Sequence, residues 1–455
     1  MGFEMQKKIQ KYESYIFGNS IASVVAVAKL RKAGKLFLWV QEGFDIEGVW
    51  KGINHKNRIL DVGMINFETD VRHPESSLDL KTYSQYAIND CARFSNYVLD
   101  FISDFTSIKQ LPKIKIFENK KLHPDHLISN DFSQLNRYGL IPPKNTITPE
   151  EDHPSQKYTA EGKQLLLSSS YDSYVKKCYG EDIAKQLFLN WAKKLVGEKV
   201  SATNTYRHRA IWSPLPYPET IEVALAGMLE KDLTYTFHYP TNETFSECIN
   251  RVFFSLNNDQ DIHKMDLKEI EDEDLKNILN SNSNIFWGGK IKTFMSIVGN
   301  NNFYDINKFR NLINIDIFEA ELTEISDNYV ILNNDEIDDN WYRLTVLPNV
   351  VVEKNRQILI VESRKTEIDF FTSQYFLDLG IKIDSHVKSL KGVPVFLTLN
   401  GRQYQEYETW HNSLINKYTN IDFGGGSSFA YSATFSDQVV QGMKFHGKVY
   451  ENAGE

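Results

Sequence analysis

The chain has 455 residues, three times the ~150 of a typical domain, so two or three domains, or one large domain with a second inserted, are expected. Lys and Arg number 51 against 60 Asp and Glu, a formal charge of −9, with 24% charged and 41% hydrophobic residues. That composition excludes disorder throughout, and the acidic balance lacks the basic footprint that releases counterions from DNA or RNA, leaving small molecules as the expected ligands.

In chain order, Ser14 to Glu42 divides into a short apolar strand, a small-residue turn, a helix and a second apolar strand, one β-α-β unit of the kind that starts an open parallel sheet. Ala22, Val25, Ala26, Lys29 and Leu30 recur at helical spacing, Gly34 stands where the helix stops, and Lys35 to Val40 is a buried-strand run. From about Ser76 to Lys231 the pattern is mostly helical, broken at Pro142-Pro143 and Pro214 to Pro218. Between Phe318 and Glu362, β-rich runs predict an antiparallel sheet roofing a substrate pocket. The acidic run at 268–276 reads as a solvated helix face, and the chain closes with a strand-like NIDF, three glycines and a helix from about Ser436.

The three cysteines, Cys91, Cys178 and Cys248, are scattered and odd in number, against a disulfide framework or a C-x-x-C site. No stretch approaches the ~18 to 20 apolar residues of a membrane span, and the N-terminal apolar run is too short for a secretory leader. A reducing, cytoplasmic setting is the expectation. His123 and His126 lack a third ligand, so no metal is expected, and phosphate-loop and nucleophile-elbow motifs do not occur.

A dinucleotide turn needs small residues where the backbone faces a pyrophosphate at a helix N-terminus, and G-N-S-I-A-S offers Gly18, Ser20 and Ser23, with the backbone of Ile21 and Ala22 between them. Only the first is glycine. Glu42 follows Gly18 by 24 positions, near the ~20-residue offset of an acid that accepts from ribose hydroxyls.

From here the sequence resembles the FAD-dependent superfamily that contains flavin amine oxidases, protoporphyrinogen oxidase and UDP-galactopyranose mutase. Glu47-Gly48-Val49-Trp50 is similar to its phosphate-contacting glycine pair with one glycine replaced, and Asp61-Val62-Gly63 to its Asp-x-Gly step. SYDSYVKKCYGEDIAKQLFLNWAKKLVGEKVS resembles its helical middle segment, and YTFHYPTNETFSECINRVF its Tyr-Pro segment, with Asn242 replacing a glycine. WYRLTVLPNVVVEKNRQILIVES resembles the strand pair bearing a Tyr-Arg step, and IDFGGGSSFAYSATFSDQVVQGMKF the C-terminal signature, where Gly424, Gly425 and Ser436 approach the cofactor. Gly424-Gly425 stands where the family has Gly-Asp or Gly-Arg.

The resemblance implies an α/β fold: a Rossmann-like FAD-binding domain assembled from 12–75, 232–310 and 395–450, with 76–231 and 311–394 as a substrate domain of helical insertion plus antiparallel sheet. It implies an FAD-dependent oxidoreductase acting on a small or medium-sized amino or sugar compound. A non-redox nucleotide-sugar mutase and a catalytically silent binding protein are the alternatives.

For the substrate, Arg207, His208 and Arg209 form a cationic cluster beside Trp212 and Tyr217 suited to a carboxylate or diphosphate, against surface salt bridging as the plainer reading. Arg343, in an apolar strand, either pairs with a buried acid or faces a pocket. Tyr239, Phe429 and Tyr431 are candidate lining residues of a flavin-facing cavity.

Overall fold

In a computed structural model, residues 12–63, 67–69, 92–141, 166–205, 213, 215–216, 218–229, 234, 236–300, 304–323, 330–334, 340–353, 356–364, 374–425 and 435–445 are described. The chain begins with β1 (Ser14–Phe17), α1 (Ile21–Lys32), β2 (Phe37–Gln41) and the hairpin β3 (Ile53–His55) and β4 (Arg58–Leu60). There follow β5 (Phe67–Thr69), α2 (Ala92–Ser103), β6 (Ile108–Gln110), the hairpin β7 (Lys115–Glu118) and β8 (Lys121–Pro124), α3 (Tyr171–Tyr179) and α4 (Pro218–Leu225). Next come β9 (Thr236–Pro240), α5 (Phe245–Asn258), β10 (His263–Asp266), α6 (Asp272–Leu279), β11 (Asn284–Trp287) and α7 (Ile291–Ile297). The last third holds β12 (Arg310–Leu322), β13 (Ile331–Asn334), β14 (Trp341–Glu353), β15 (Arg356–Ser363), β16 (Ile381–Leu397), α8 (Gly401–Lys417), β17 (Ile421–Phe423) and α9 (Phe435–Lys444).

Five strands form a parallel sheet in the order β10-β2-β1-β11-β17, with Phe17 opposite both Val40 and Trp287. Its central strands β1, β2 and β11 carry the unbroken apolar runs Tyr15-Ile16-Phe17, Phe37-Leu38-Trp39-Val40 and Ile285-Phe286-Trp287 because both faces are covered there, whereas the edge strand β10 is polar. Ile16, Trp39 and Phe286 join the core under α1 and α9, while Tyr15, Phe17, Leu38, Val40, Ile285 and Trp287 pack on the opposite face against Leu275, Ile278 and Phe294. The acidic run therefore turns Leu275 and Ile278 inward, and Asp272 and Glu273 remain exposed in the first turn of α6, where the helix dipole favours them.

The second sheet has seven strands in the order β16-β12-β15-β14-β13-β7-β8, antiparallel except where β13 runs parallel to β7. The expected antiparallel β region forms its centre. One expectation needs correction: the segment read as mostly helical also supplies strands, β6 to a three-stranded sheet with β5 and β9, and β7 and β8 to the edge of the large sheet. The reason is local, since Asn119 and Lys120 adopt φ of 49° and 60° and close a two-residue hairpin of the primed type, which aligns two short strands. Among the described residues no helix is long and apolar enough to cross a membrane.

Candidate functional site

At the C-terminal edge of the parallel sheet, β1 is followed by Gly18 with φ 88°, and a Cβ there would lie 2.5 Å from the backbone nitrogen of Gly289. Only glycine fits. Ser20 then caps α1: its Oγ accepts from the Ser23 N–H at 3.3 Å and lies 3.1 Å from Ser23 Oγ, which donates to the Phe17 carbonyl at 3.0 Å.

Both serine side chains thus turn into the protein. The room for them comes from glycines elsewhere, because a Cβ on Gly288 would stand 2.0 Å from Ser23 Oγ and 2.6 Å from Ser20 Oγ, and one on Gly425 2.9 Å from Ser20 Oγ. Gly424 is packed against the Phe286 ring, and the Gly425 N–H donates to Gln441 Oε1 at 2.8 Å. Loops after β1, β11 and β17 therefore converge backbone to backbone at the start of α1. With the serines folded away, the N–H groups of Ile21 and Ala22, in the first turn, have no protein acceptor among the described residues, the condition in which a helix N-terminus accepts an anion.

Asn19 ties this turn to the loop after β2. Its N–H donates to Glu47 Oε1 at 3.2 Å, and its side-chain amide donates to the carbonyls of Gly43 and Asp45 at 3.0 Å each. Burial pushes the Glu47 carboxyl above its usual range; the Asn19 N–H opposes the shift, Glu42 adds to it and Lys290 opposes it. Glu42, directly after β2, pairs with Lys290 at 3.3 Å.

Gly48 (φ 74°), Val49 and Trp50 form a 3-10 turn, with the Trp50 ring between Phe245 and Phe435 at centroid distances of 6.1 and 5.8 Å. Ser436 is half-buried on α9 beside this aromatic cluster. The fully buried Asp61 accepts from the Tyr239 hydroxyl, from Ser246 N at 2.7 Å and from Phe245 N at 3.3 Å. It thereby joins β9 to the N-terminus of α5. Burial pushes its carboxyl up while those hydrogen bonds hold it down.

Gly63 stands with its Cα hydrogen toward Glu362, whose Oε1 would be 3.3 Å from a Cβ there. Glu362 receives Arg343 Nε at 3.0 Å, Arg343 Nη2, and the Tyr342 hydroxyl at 2.7 Å. Of the two outcomes expected for Arg343, pairing with a buried acid is the one found. Tyr239 likewise directs its hydroxyl to an internal acid. Arg207, Arg209, Phe429 and Tyr431 lie outside the described residues.

Sequence reading overlooked Asn19, Gly288, Gly289 and Lys290. A signal existed: NIFW-G-G repeats the apolar-strand-then-glycine pattern of SYIF-G, which marks a second loop at the same edge of a parallel sheet.

No family model and no curated protein matches the sequence. Solved structures match its fold along nearly the whole chain. A reduced UDP-galactopyranose mutase superposes with a TM-score of 0.61 at 14% identity, covering 98% of this chain and 95% of that one. A putative protoporphyrinogen oxidase from Exiguobacterium sp. 255-15 gives 0.54 at 10% identity, covering 96% and 98%. Putrescine oxidase bound to putrescine gives 0.53 at 10% identity, covering 97% and 99%. At these identities the likeness is one of fold.

Proposed function

We propose that this chain, which shares its fold with that mutase and those oxidases, binds FAD and is a flavoenzyme, an oxidoreductase acting on a small or medium-sized amino or sugar compound. The observation that carries the reading is the meeting of three glycine loops at the N-terminus of α1, on the C-terminal edge of a parallel sheet, where a dinucleotide binds in open α/β folds. The residues there fit the cofactor: the helix end offers N–H groups, Ser20 and Ser23 point away from it, and Glu42 follows the neighbouring strand.

The backbone of Gly18, Ser20, Ile21, Ala22 and Ser23 would face the diphosphate, and Glu42 would accept from the ribose. Gly48, Val49, Trp50, Gly63, Gly424, Gly425 and Ser436 would line the remainder, with Asp61 positioning α5 behind them. Bound FAD would supply the electron chemistry, while the protein holds the ring, orients the substrate and excludes water. The parallel-sheet segments 12–75, 232–310 and 395–450 serve as the cofactor domain in this reading, and 76–231 with 311–394 as the substrate domain.

The test is the visible spectrum of the purified protein before and after loading with FAD and desalting. Retained flavin bands are expected, and Ser20→Leu should abolish them because its bulk has no room beside Gly288 and Gly425. A protein that cannot be loaded overturns the reading. The cationic cluster read at Arg207 and Arg209, suited to a diphosphate, motivates a non-redox nucleotide-sugar mutase as the second reading. Arg207→Ala and Arg209→Ala separate the two, since unchanged nucleotide-sugar affinity would remove the mutase's main support.

A further inference from the structure

We propose that Lys290 is a diphosphate-binding residue of the cofactor site, an assignment that rests on the FAD reading above and adds a contact to it. In the order β10-β2-β1-β11-β17, β2 and β11 flank β1 on opposite sides, and the loop after β11 folds onto the end of β1, where a Cβ on Gly18 would lie 2.5 Å from the Gly289 nitrogen. Lys290, the next residue, places its Nζ 3.3 Å from Glu42 Oε1 just beyond β2. The ammonium therefore reaches the acid of β2 from a loop that packs on the Gly18 turn, beside which the diphosphate would lie.

Charge supplies the second step. The turn already carries Glu42 and Glu47, and Lys51 of the same loop is paired with Asp45. A diphosphate entering beside two carboxylates needs a cation, and Lys290 is the ammonium that pairs with Glu42 and whose charge also acts on Glu47. It is also available: with side-chain exposures of 66% for Lys290 and 28% for Glu42, their pair belongs to the weakly held surface class. When the ammonium turns to a phosphate oxygen and Glu42 to the ribose hydroxyls, one weak pair is exchanged for two charge-assisted contacts. A side-chain cation further compensates a turn in which two of three glycine positions are serine.

The experiment titrates FAD and ADP into the cofactor-stripped protein at several salt concentrations, for wild type, Lys290→Ala and Lys290→Arg, with melting curves to confirm an intact fold. Lys290→Ala should weaken both ligands about tenfold, the scale of one hydrogen bond between charged groups, and flatten the salt dependence; Lys290→Arg should restore most of the affinity. Equal or tighter binding by Lys290→Ala, with an unchanged salt slope, overturns the assignment and leaves the FAD reading standing. Failure of the wild type to bind either ligand overturns both.

Discussion

Glu42 and Lys290, at the edge of the parallel sheet, are 28% and 66% exposed, whereas Glu362 and Arg343, facing each other on β15 and β14, are 2% and 7% exposed. Both are acid–base pairs joining separate strands. The difference is solvent: water screens the first pair and leaves it free to exchange partners, while burial makes each member of the second costly to leave alone. Tyr342 adds a donor to Glu362, and Asp125 is held in the same sheet by Asn333 Nδ2 at 3.0 Å and by the N–H groups of Ile128 and Ser129 at 2.8 and 2.7 Å. In the seven-stranded sheet Glu362 and Asp125 are thus committed to the architecture, whereas Glu42 and Lys290 stand at the mouth of the five-stranded one.

Removing one partner of the buried pair gives the largest expected effect. Glu362→Ala should lower unfolding free energy by about 3–5 kcal/mol in a denaturant titration; a loss of less than about 1 kcal/mol would place the two pairs in the same class and erase the contrast.

The next effect is in pH. Burial first, then Arg137, depresses the His126 imidazole to about 3, and its Nε2 lies 3.1 Å from the Leu187 carbonyl. The unfolded chain takes up this proton near pH 6.5 and the folded one only near 3. The neutral form's contribution is therefore complete above about pH 6.5 and is lost as pH falls toward 3, with a slope of up to about 1.4 kcal/mol per pH unit. His126→Gln should flatten that slope relative to wild type; identical pH–stability curves would mean that the ring charges freely.

At the cofactor edge, Gly18→Ala should cost about 1–3 kcal/mol of stability, since the new methyl meets backbone rather than a flexible side chain, and flavin retention should fall with it. Full retention would move the cofactor elsewhere. Glu42→Ala should weaken FAD by roughly 1.5–3 kcal/mol, read by titration, while changing the melting free energy by less than about 1 kcal/mol. A variant that lost stability instead would show that this exposed pair holds the fold, as Glu362 does.

Much of the fold was legible because its signals are local. Apolar runs without alternation announced strands covered on both faces, Gly34 marked the end of α1, and the β-rich stretch from Phe318 to Glu362 lies in the center of the large sheet. The hairpin Lys115–Pro124 was missed inside helical surroundings, since four-residue strands show too little periodicity to stand out.

What the sequence by itself determined is the β-α-β unit, the glycine turn with its acid after the second strand, and the demand that a charged Arg343 within an apolar strand be answered. Only the tertiary structure decided how each was met. Ser20 and Ser23 are accommodated by Gly288 and Gly425, Arg343 by Glu362 at 19 positions' separation, and Glu42 by Lys290 at 248. Helical and strand periodicity acts between near neighbours, but steric room and charge act through space, so the chain must fold before residues so distant become each other's surroundings.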